Sequence, residues 1–397
     1  MEKFVWSSPT KILFGLNQIE NLGTEILNRG FKKILITYGH SSIKKNGIYD
    51  AVVNQLKSHK IDFIEYSGID PNPRIESVIE AGNLCKAQNV DLILAVGGGS
   101  VVDCSKGIAL YRYYEGNDFW QEIKNGTCYL ISKAIPIGVV LTLSATGSEM
   151  NNGGVISNLT TNEKLALFSS FTHPIFSILD PSYTYSVPKH QISAGISDAM
   201  SHCFEQFFSY EDSSLVSDNI LIGIMKSLKQ VAKTAIDNPT DYHSHSTLMW
   251  GATMALNYIS GAGKTGDWAT HAIEHAISAH YDITHAVGLA IITPHWMEYV
   301  LDDKNAYRFK PLSIIFDLDT KNKSDKEIAL MVIQATKDFF KSINMPAKLS
   351  EININDSKLN EMTQSTFAPT FYKNRGYIGS FKQLNEKDVY NILKNCV

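Results

Sequence analysis

Cysteine is scarce in this chain: Cys85, Cys104, Cys128, Cys203 and Cys396 are five in number, and no two of them stand in Cys-x-x-Cys spacing. That pattern excludes a disulfide-stapled secreted scaffold and a cysteine-built zinc site. Long apolar runs are missing as well, and no signal-like segment opens at Met1, so a cytoplasmic protein is expected. Nor does one sign of charge dominate. Against 36 Lys and Arg stand 40 Asp and Glu, a net charge of -4 with no basic cluster, which implies neither nucleic acid nor a membrane as partner. Repeats and low-complexity tracts are absent too.

What is present is a soluble globular composition, 44% hydrophobic and 19% charged, on 397 residues, long enough for two domains. Strand-like runs are confined to the first half. Phe4-Val5-Trp6 and Lys11-Ile12-Leu13-Phe14 around Pro9-Thr10 read as an edge hairpin, followed by a helix from Ile19 to Asn28. Lys33–Tyr38 is a buried strand, Tyr49–His59 a helix and Ile61–Ile64 a strand, which is the βαβ pattern of a parallel sheet. After the turn Asp70-Pro71-Asn72-Pro73, whose Asn72 is counted with the ligand-binding residues, Ile75–Gln88 is a helix and Asp91–Val96 a strand.

That strand runs into Gly97-Gly98-Gly99-Ser100 and a helix, Val101–Leu110. Glycines there let a phosphate approach the backbone, and the amides opening the helix favour an anion. A plain βα turn is the competing reading. The motif is not the usual dinucleotide fingerprint, since Val102 stands where G-x-G-x-x-G requires Gly. Asp103 in the first turn either satisfies the helix dipole or makes a polar contact near the reactive end of a bound ligand. Ile135–Leu141 is a further strand, leading to Thr142-Leu143-Ser144-Ala145-Thr146-Gly147-Ser148-Glu149, a hydroxyl-rich loop where open α/β sheets bind ligands. Val155–Ser157 and Lys164–Leu167 form a hairpin, and Lys164 is either a phosphate contact or a solvated edge charge.

From Pro188 only helical runs follow: Ser193–Phe208, Asp212–Ala235, Tyr242–Tyr258, Trp268–Ala279 and Thr284–Val300, then more to Leu393. The expected architecture is therefore an α/β, Rossmann-like parallel-sheet domain over 1–187 and an all-helical domain over 188–397. The helical half carries the second cluster of chemistry. Asp198 and His202 are one turn apart on an apolar helix, as are His271 and His275 on another. A lone helical histidine is more often a satisfied core residue than a ligand; two such pairs change that balance. His285 lies fourteen residues past His271, roughly 21 Å along a continuous helix at ~1.5 Å per residue, so the helix must end between them. Tyr281-Asp282-Ile283-Thr284 supplies the break, with Asp282 or Thr284 as N-cap of the next helix. Asp198, His202, His271 and His285 then offer one oxygen and three nitrogens, a set suited to Fe(II) or Zn(II) with a position left open.

On these residues the chain resembles the iron-containing, group III alcohol dehydrogenases, in particular their butanol-dehydrogenase-like branch of aldehyde reductases, over essentially its whole length. The resemblance implies that Asp198, His202, His271 and His285 hold the metal and that His275 lies near the substrate. It implies that Gly97, Gly98, Gly99, Ser100 and Asp103, then Thr142, Ser144 and Thr146, with Lys164 and Leu179, serve a nicotinamide cofactor. The implied reaction is hydride transfer between NAD(P)H and an aldehyde, with the metal as Lewis acid and His275 or a water as proton source, and Asp103 counted with the catalytic groups. A metal- and NAD-dependent cyclase of the dehydroquinate-synthase-like type shares the fold, but it would need several Lys or Arg near the metal helices, where 249–285 offers Lys264 alone.

Two further expectations come from the residues. The loop Thr37-Tyr38-Gly39-His40-Ser41-Ser42 carries no acid where NAD-specific proteins place one on the ribose 2′-hydroxyl. Gly39, Ser41 and Ser42, with Lys44 and Lys45 close behind, accommodate a 2′-phosphate, so NADP(H) is expected ahead of NAD(H). The apolar edge hairpin Phe4–Phe14, free to pair with its twin, points to a homodimer, with a small aldehyde or primary alcohol as the other partner.

Overall fold

Buried strands of a parallel sheet are apolar on both faces, and Lys33–Thr37 (β2), Leu92–Gly97 (β4) and Ile137–Leu141 (β5) fit that demand. The computed structural model describes residues 1–210 and 214–397. It places these strands in a six-stranded, all-parallel sheet of order β1-β8-β5-β4-β2-β3, with Lys11–Phe14 as β1, Asp62–Tyr66 as β3 and Phe176–Leu179 as β8. Alternate residues feed two cores. Leu35, Ile93, Ala95, Val139 and Leu141 face one, while Ile34, Ile36, Leu94, Val96 and Val140 face the other. Gly153–Asn158 (β6) and Glu163–Phe168 (β7) form the expected antiparallel hairpin, Ser157 opposite Lys164.

The N-terminal hairpin is corrected. Only Lys11–Phe14 is a strand, and it pairs in parallel with β8 in the register Lys11 to Phe176. Thr10 Oγ1 donates to Pro174 O at 2.6 Å, anchoring the start of β1 beside β8 rather than turning it back on Phe4–Trp6. The Met1–Trp6 segment is held elsewhere: Glu2 N donates to Gly263 O at 3.0 Å.

The described residues form two units. One comprises Ser7–Val187 with Pro239–Met249; the other comprises Met1–Trp6, Pro188–Asn238 and Trp250–Val397. The expected division at 187/188 is thus crossed by two short segments. Beyond Leu179 the described residues contain helices and a single isolated bridge, Ile378 to Leu384. The helix expected from Asp212 runs from Leu215 to Asp237; Asp212 itself lies outside the described residues. The Lys189–Phe207 helix is buried without a break from Ile192 to Phe207, which makes every polar side chain on it a demand for a partner. No helix among the described residues is long and apolar enough to cross a membrane.

Candidate metal centre and cofactor loops

Asp198 and His202 project from that buried helix. His202 Nε2 lies 3.8 Å from Asp198 Oδ1. The helix Ala269–Tyr281 supplies His271, whose ring stacks on that of His202 with centroids 4.9 Å apart. It ends where the sequence requires: Asp282 is left-handed at φ 50, Thr284 is the extended N-cap, and His285 opens the helix His285–Val300. The reversal brings His285 Nε2 to 3.9 Å from Asp198 Oδ1. Ligand atoms of Asp198, His202 and His271 all lie within 4.8 Å of one another. All four expected ligands therefore converge.

Two carboxylates that the sequence reading passed over complete the centre. Glu205, buried at 1% exposure, accepts from His271 Nδ1 and from the amides of Thr270 (2.7 Å) and His271 (3.3 Å). It thereby caps a helix whose own N-cap, Trp268, is left-handed and makes no side-chain cap. Glu274, at 0% exposure, accepts from His285 Nδ1 and from Ser278 Oγ. Gly288 makes room for it, since a Cβ there would lie 2.7 Å from Glu274 Cγ. Glu274, His275 and His285 form a second group of mutually close polar atoms, but an Nδ1 bound to a carboxylate is no metal ligand, so Glu274 serves His285 from behind.

The electrostatics agree. Burial, with the rings of His271 and His285, holds His202 well below its usual pKa, in the neutral form that can ligate. Burial opposes charge on His271 too, yet the Glu205 carboxylate and its hydrogen bond, with Asp198 and Glu274, raise it. His271 Nε2 is buried and makes no hydrogen bond to the described residues. A buried lone pair facing an imidazole and a carboxylate fits a borderline divalent ion. His275 is half-buried, its ring 5.3 Å from that of His285 and 6.4 Å from that of His271. Asp267 ties in the C-terminal segment: it accepts from Ala269 N, Ser380 N and Phe381 N, and burial with the Glu205 charge raises it to about 7.

In the sheet unit Thr142, Ser144 and Thr146, then Gly97 to Ser100, then Gly39, Ser41 and Ser42 lie at or just beyond the C-terminal ends of the adjacent strands β5, β4 and β2, the edge at which open parallel sheets bind ligands, whereas Asn72 follows β3, Lys164 lies in β7 and Leu179 in β8. Thr142 N donates to Gly97 O at 3.0 Å. A Cβ on Gly99 would lie 2.5 Å from Thr146 and one on Gly98 3.0 Å from Leu143, so the glycines admit the 142–146 loop against the start of the Gly99–Tyr111 helix that carries Ser100. Ser144 Oγ is buried and makes no hydrogen bond to the described residues. Asn72 is left-handed at φ 54 in a loop whose Pro73 O accepts from Ser157 N. Leu179, fully buried, ends β8. Gly39 and Ser41 sit in the turn before the short helix Ser42–Lys45, and that turn is fastened by Gly68 N donating to Gly39 O.

Asp103 has a different setting from a free polar contact. Its Oδ1 accepts from Ser148 Oγ at 2.5 Å and its Oδ2 from Val155 N at 2.9 Å, so it ties the 142–149 loop to the strand Gly153–Asn158. Burial raises its pKa against the pull of Lys106, Ser148, the Val155 amide and Lys164. Lys106, also missed by the sequence reading, is wholly buried and donates to Ser148 Oγ (2.7 Å), Asn151 Oδ1 (3.0 Å) and Gly153 O (2.6 Å). The Lys44 ammonium lies over the rings of Tyr38 and Tyr49, 5.0 and 4.6 Å from their centroids, and 3.9 Å from Glu65.

Residues 9–181 match the family described as iron-containing alcohol dehydrogenase, and residues 192–397 the C-terminal region of the Fe-containing alcohol dehydrogenase family. The chain is 44% identical to NADH-dependent butanol dehydrogenase A of Clostridium acetobutylicum, covering 99% of each chain. It is 38% identical to the NADPH-dependent aldehyde reductase YqhD of Escherichia coli, over 90% of this chain and 91% of that one. The crystal structure of an NADH-dependent butanol dehydrogenase A from Thermotoga maritima superposes with a TM-score of 0.94 at 39% identity, covering 100% of this chain and 99% of that one. These relatives do not favour the cyclase alternative, and Lys264, the lone cation in its favour, donates to Asp218 at 2.5 Å.

Proposed function

Since the chain belongs to the iron-containing alcohol dehydrogenase family, and is thereby an oxidoreductase of alcohols and aldehydes, we propose that it interconverts small aldehydes and primary alcohols at a metal held by Asp198, His202, His271 and His285, with NADPH as the preferred hydride donor. The observation that carries the metal assignment is the pair of ligand histidines each backed by a buried carboxylate, with Nε2 of His271 left bare. A bound Fe(II) or Zn(II) supplies Lewis acidity toward a carbonyl oxygen, and a reduced nicotinamide supplies the hydride. The protein's own part is to hold that ion with one carboxylate and three neutral imidazoles. His275, beside the ligands and half-buried, holds the proton that the product alcohol takes up. Gly97, Gly98, Gly99, Ser100, Thr142, Ser144 and Thr146 bind the cofactor, and Asp103 and Lys106 keep their loops in place.

The cofactor preference is supported by the Tyr38–Ser42 segment, which carries no carboxylate, and by Glu65, whose charge is met by Tyr38 OH, Tyr49 OH and Lys44. Lys45 is exposed just beyond it. The relatives carry both NADH and NADPH in their names.

The test is anaerobic reconstitution with Fe(II) or Zn(II), followed by NADPH and NADH oxidation over aldehydes of increasing chain length. Aldehyde reduction dependent on the metal is expected, and Asp198→Ala should lose bound metal and turnover together while keeping its circular dichroism. Turnover by metal-free protein would refute the reading.

A further inference from the structure

Metal sites are described by their ligands, but an imidazole ligates only through a nitrogen that carries no proton, and a free neutral imidazole exchanges its proton between both nitrogens. We propose that Glu205 and Glu274 are positioning residues that fix His271 and His285 as the tautomers with Nε2 bare, and so set how tightly this chain holds its ion. The inference rests on the metal reading above and adds to it two residues outside the ligand set.

Three observations support it. Each carboxylate reaches Nδ1 of one ligand histidine, and each is sealed from water, at 1% and 0% exposure. An anion so buried is costly unless it is matched, and here its match is an imidazole N–H whose other face meets the metal position. Both carboxylates are themselves held. Thr270 N and His271 N donate to Glu205, and Ser278 Oγ donates to Glu274 in space that Gly288 leaves open. His202 provides an internal contrast, since its Nδ1 is buried and makes no hydrogen bond to the described residues. Two of the three imidazoles are therefore oriented by a carboxylate at Nδ1, and the third has no such group behind it among the described residues.

Glu274 is the cleaner position to test, because Glu205 also caps the Ala269–Tyr281 helix and its loss would disturb the fold. Glu274→Leu removes acceptor and charge; Glu274→Gln keeps an acceptor oxygen and removes the charge. Apo-protein would be titrated with Co(II) in competition with a chelator, reading the visible absorption of the bound ion, and melted with and without metal. For Glu274→Leu a Co(II) affinity about 10- to 100-fold weaker is expected, with Glu274→Gln in between. The melting temperature of the apo-protein should stay near that of the parent while the rise on adding metal shrinks. Unchanged Co(II) affinity in both variants would overturn the proposal, as would an affinity loss fully accounted for by a lower apo melting temperature. Should Glu274→Leu not fold, Glu274→Gln decides the matter by the same two readings. A parent protein that binds no Co(II) at all would instead overturn the metal reading itself.

Discussion

Lys106→Met is the perturbation that best joins stability to cofactor binding in the sheet unit. The ammonium of Lys106 has no exposure and three hydrogen-bond acceptors, at 2.6, 2.7 and 3.0 Å. Bonds from a charged donor contribute roughly 1.5–3 kcal/mol each, about 5–9 kcal/mol for the three. Against this stands burial of the charge, which outweighs the attraction of Asp103 and Glu149 and lowers Lys106 from 10.5 to about 8. Methionine fills most of the space and Ser148 keeps Asp103, while Asn151 Oδ1 and Gly153 O each lose a buried donor, so a loss of about 3 kcal/mol, well short of the gross sum, is expected for the variant. A denaturant melt at pH 7 measures it, and the Michaelis constant for the cofactor should rise several-fold as the 142–149 loop loosens. The sign of the pH dependence follows from the lowered pKa. Between pH 8 and pH 10.5 the unfolded chain binds the proton more than the folded one, so parental stability gains from this group as pH rises through that window, and Lys106→Met lacks the gain. A loss below about 1 kcal/mol, with the cofactor's Michaelis constant unmoved, would refute the reasoning.

Gly39→Asp should reverse the cofactor preference toward NADH by about 5- to 150-fold, or roughly 1–3 kcal/mol, by setting a like charge beside the 2′-phosphate; the new Cβ would lie 3.3 Å from Ile69 O, a contact a small shift relieves, and an unmoved ratio of kcat/KM values would show that this loop is not under the ribose. Burial works against ionisation of Glu25, but Lys11 and Arg29 outweigh it and lower its pKa from 4.5. Its contribution to stability is thus present above pH 4.5 and fades as acid passes the lowered value, so acid melts of Glu25→Gln and parent should converge at low pH; a constant gap would contradict this. Because β1 is an edge strand of the sheet among the described residues and Val5 is 99% exposed, a homodimer is expected in sedimentation at micromolar concentration, and a monomer there would count against it.

Much of the fold is legible in the chain because the relevant signals are local. The βα units of the sheet show as apolar runs ending in glycine or hydroxyl-rich turns, and Ile75–Gln88 begins and ends where its periodicity does. What escapes is short or non-local. Phe176–Leu179 is four residues long and indistinguishable by itself from a loop, although β1 and β5 both pair with it. Phe4–Trp6 has a strand's composition, but composition does not choose a partner, and here Thr10 and β8 win over a hairpin. The segment 239–249 sits among helical runs in the sequence and belongs with the sheet unit in space.

The metal centre divides along the same line. Asp198 with His202 and His271 with His275 are readable at one-turn spacing, and the need for a break before His285 follows from the length of a helix. Glu205 and Glu274 look like ordinary helix charges, three residues past His202 and His271, and only the packed structure shows what each one faces. The helix through Asp198, His202 and Glu205 is apolar enough to be buried on every side, and an ionised carboxylate costs several kcal/mol to bury without a partner. Two carboxylates and an imidazole retained on a wholly buried stretch therefore require opposing groups from another segment, and the next apolar helix bearing charge and imidazole together is the one with His271, Glu274 and His275. Buried charge thus predicts which helices must meet; which nitrogen meets which oxygen waits on the geometry.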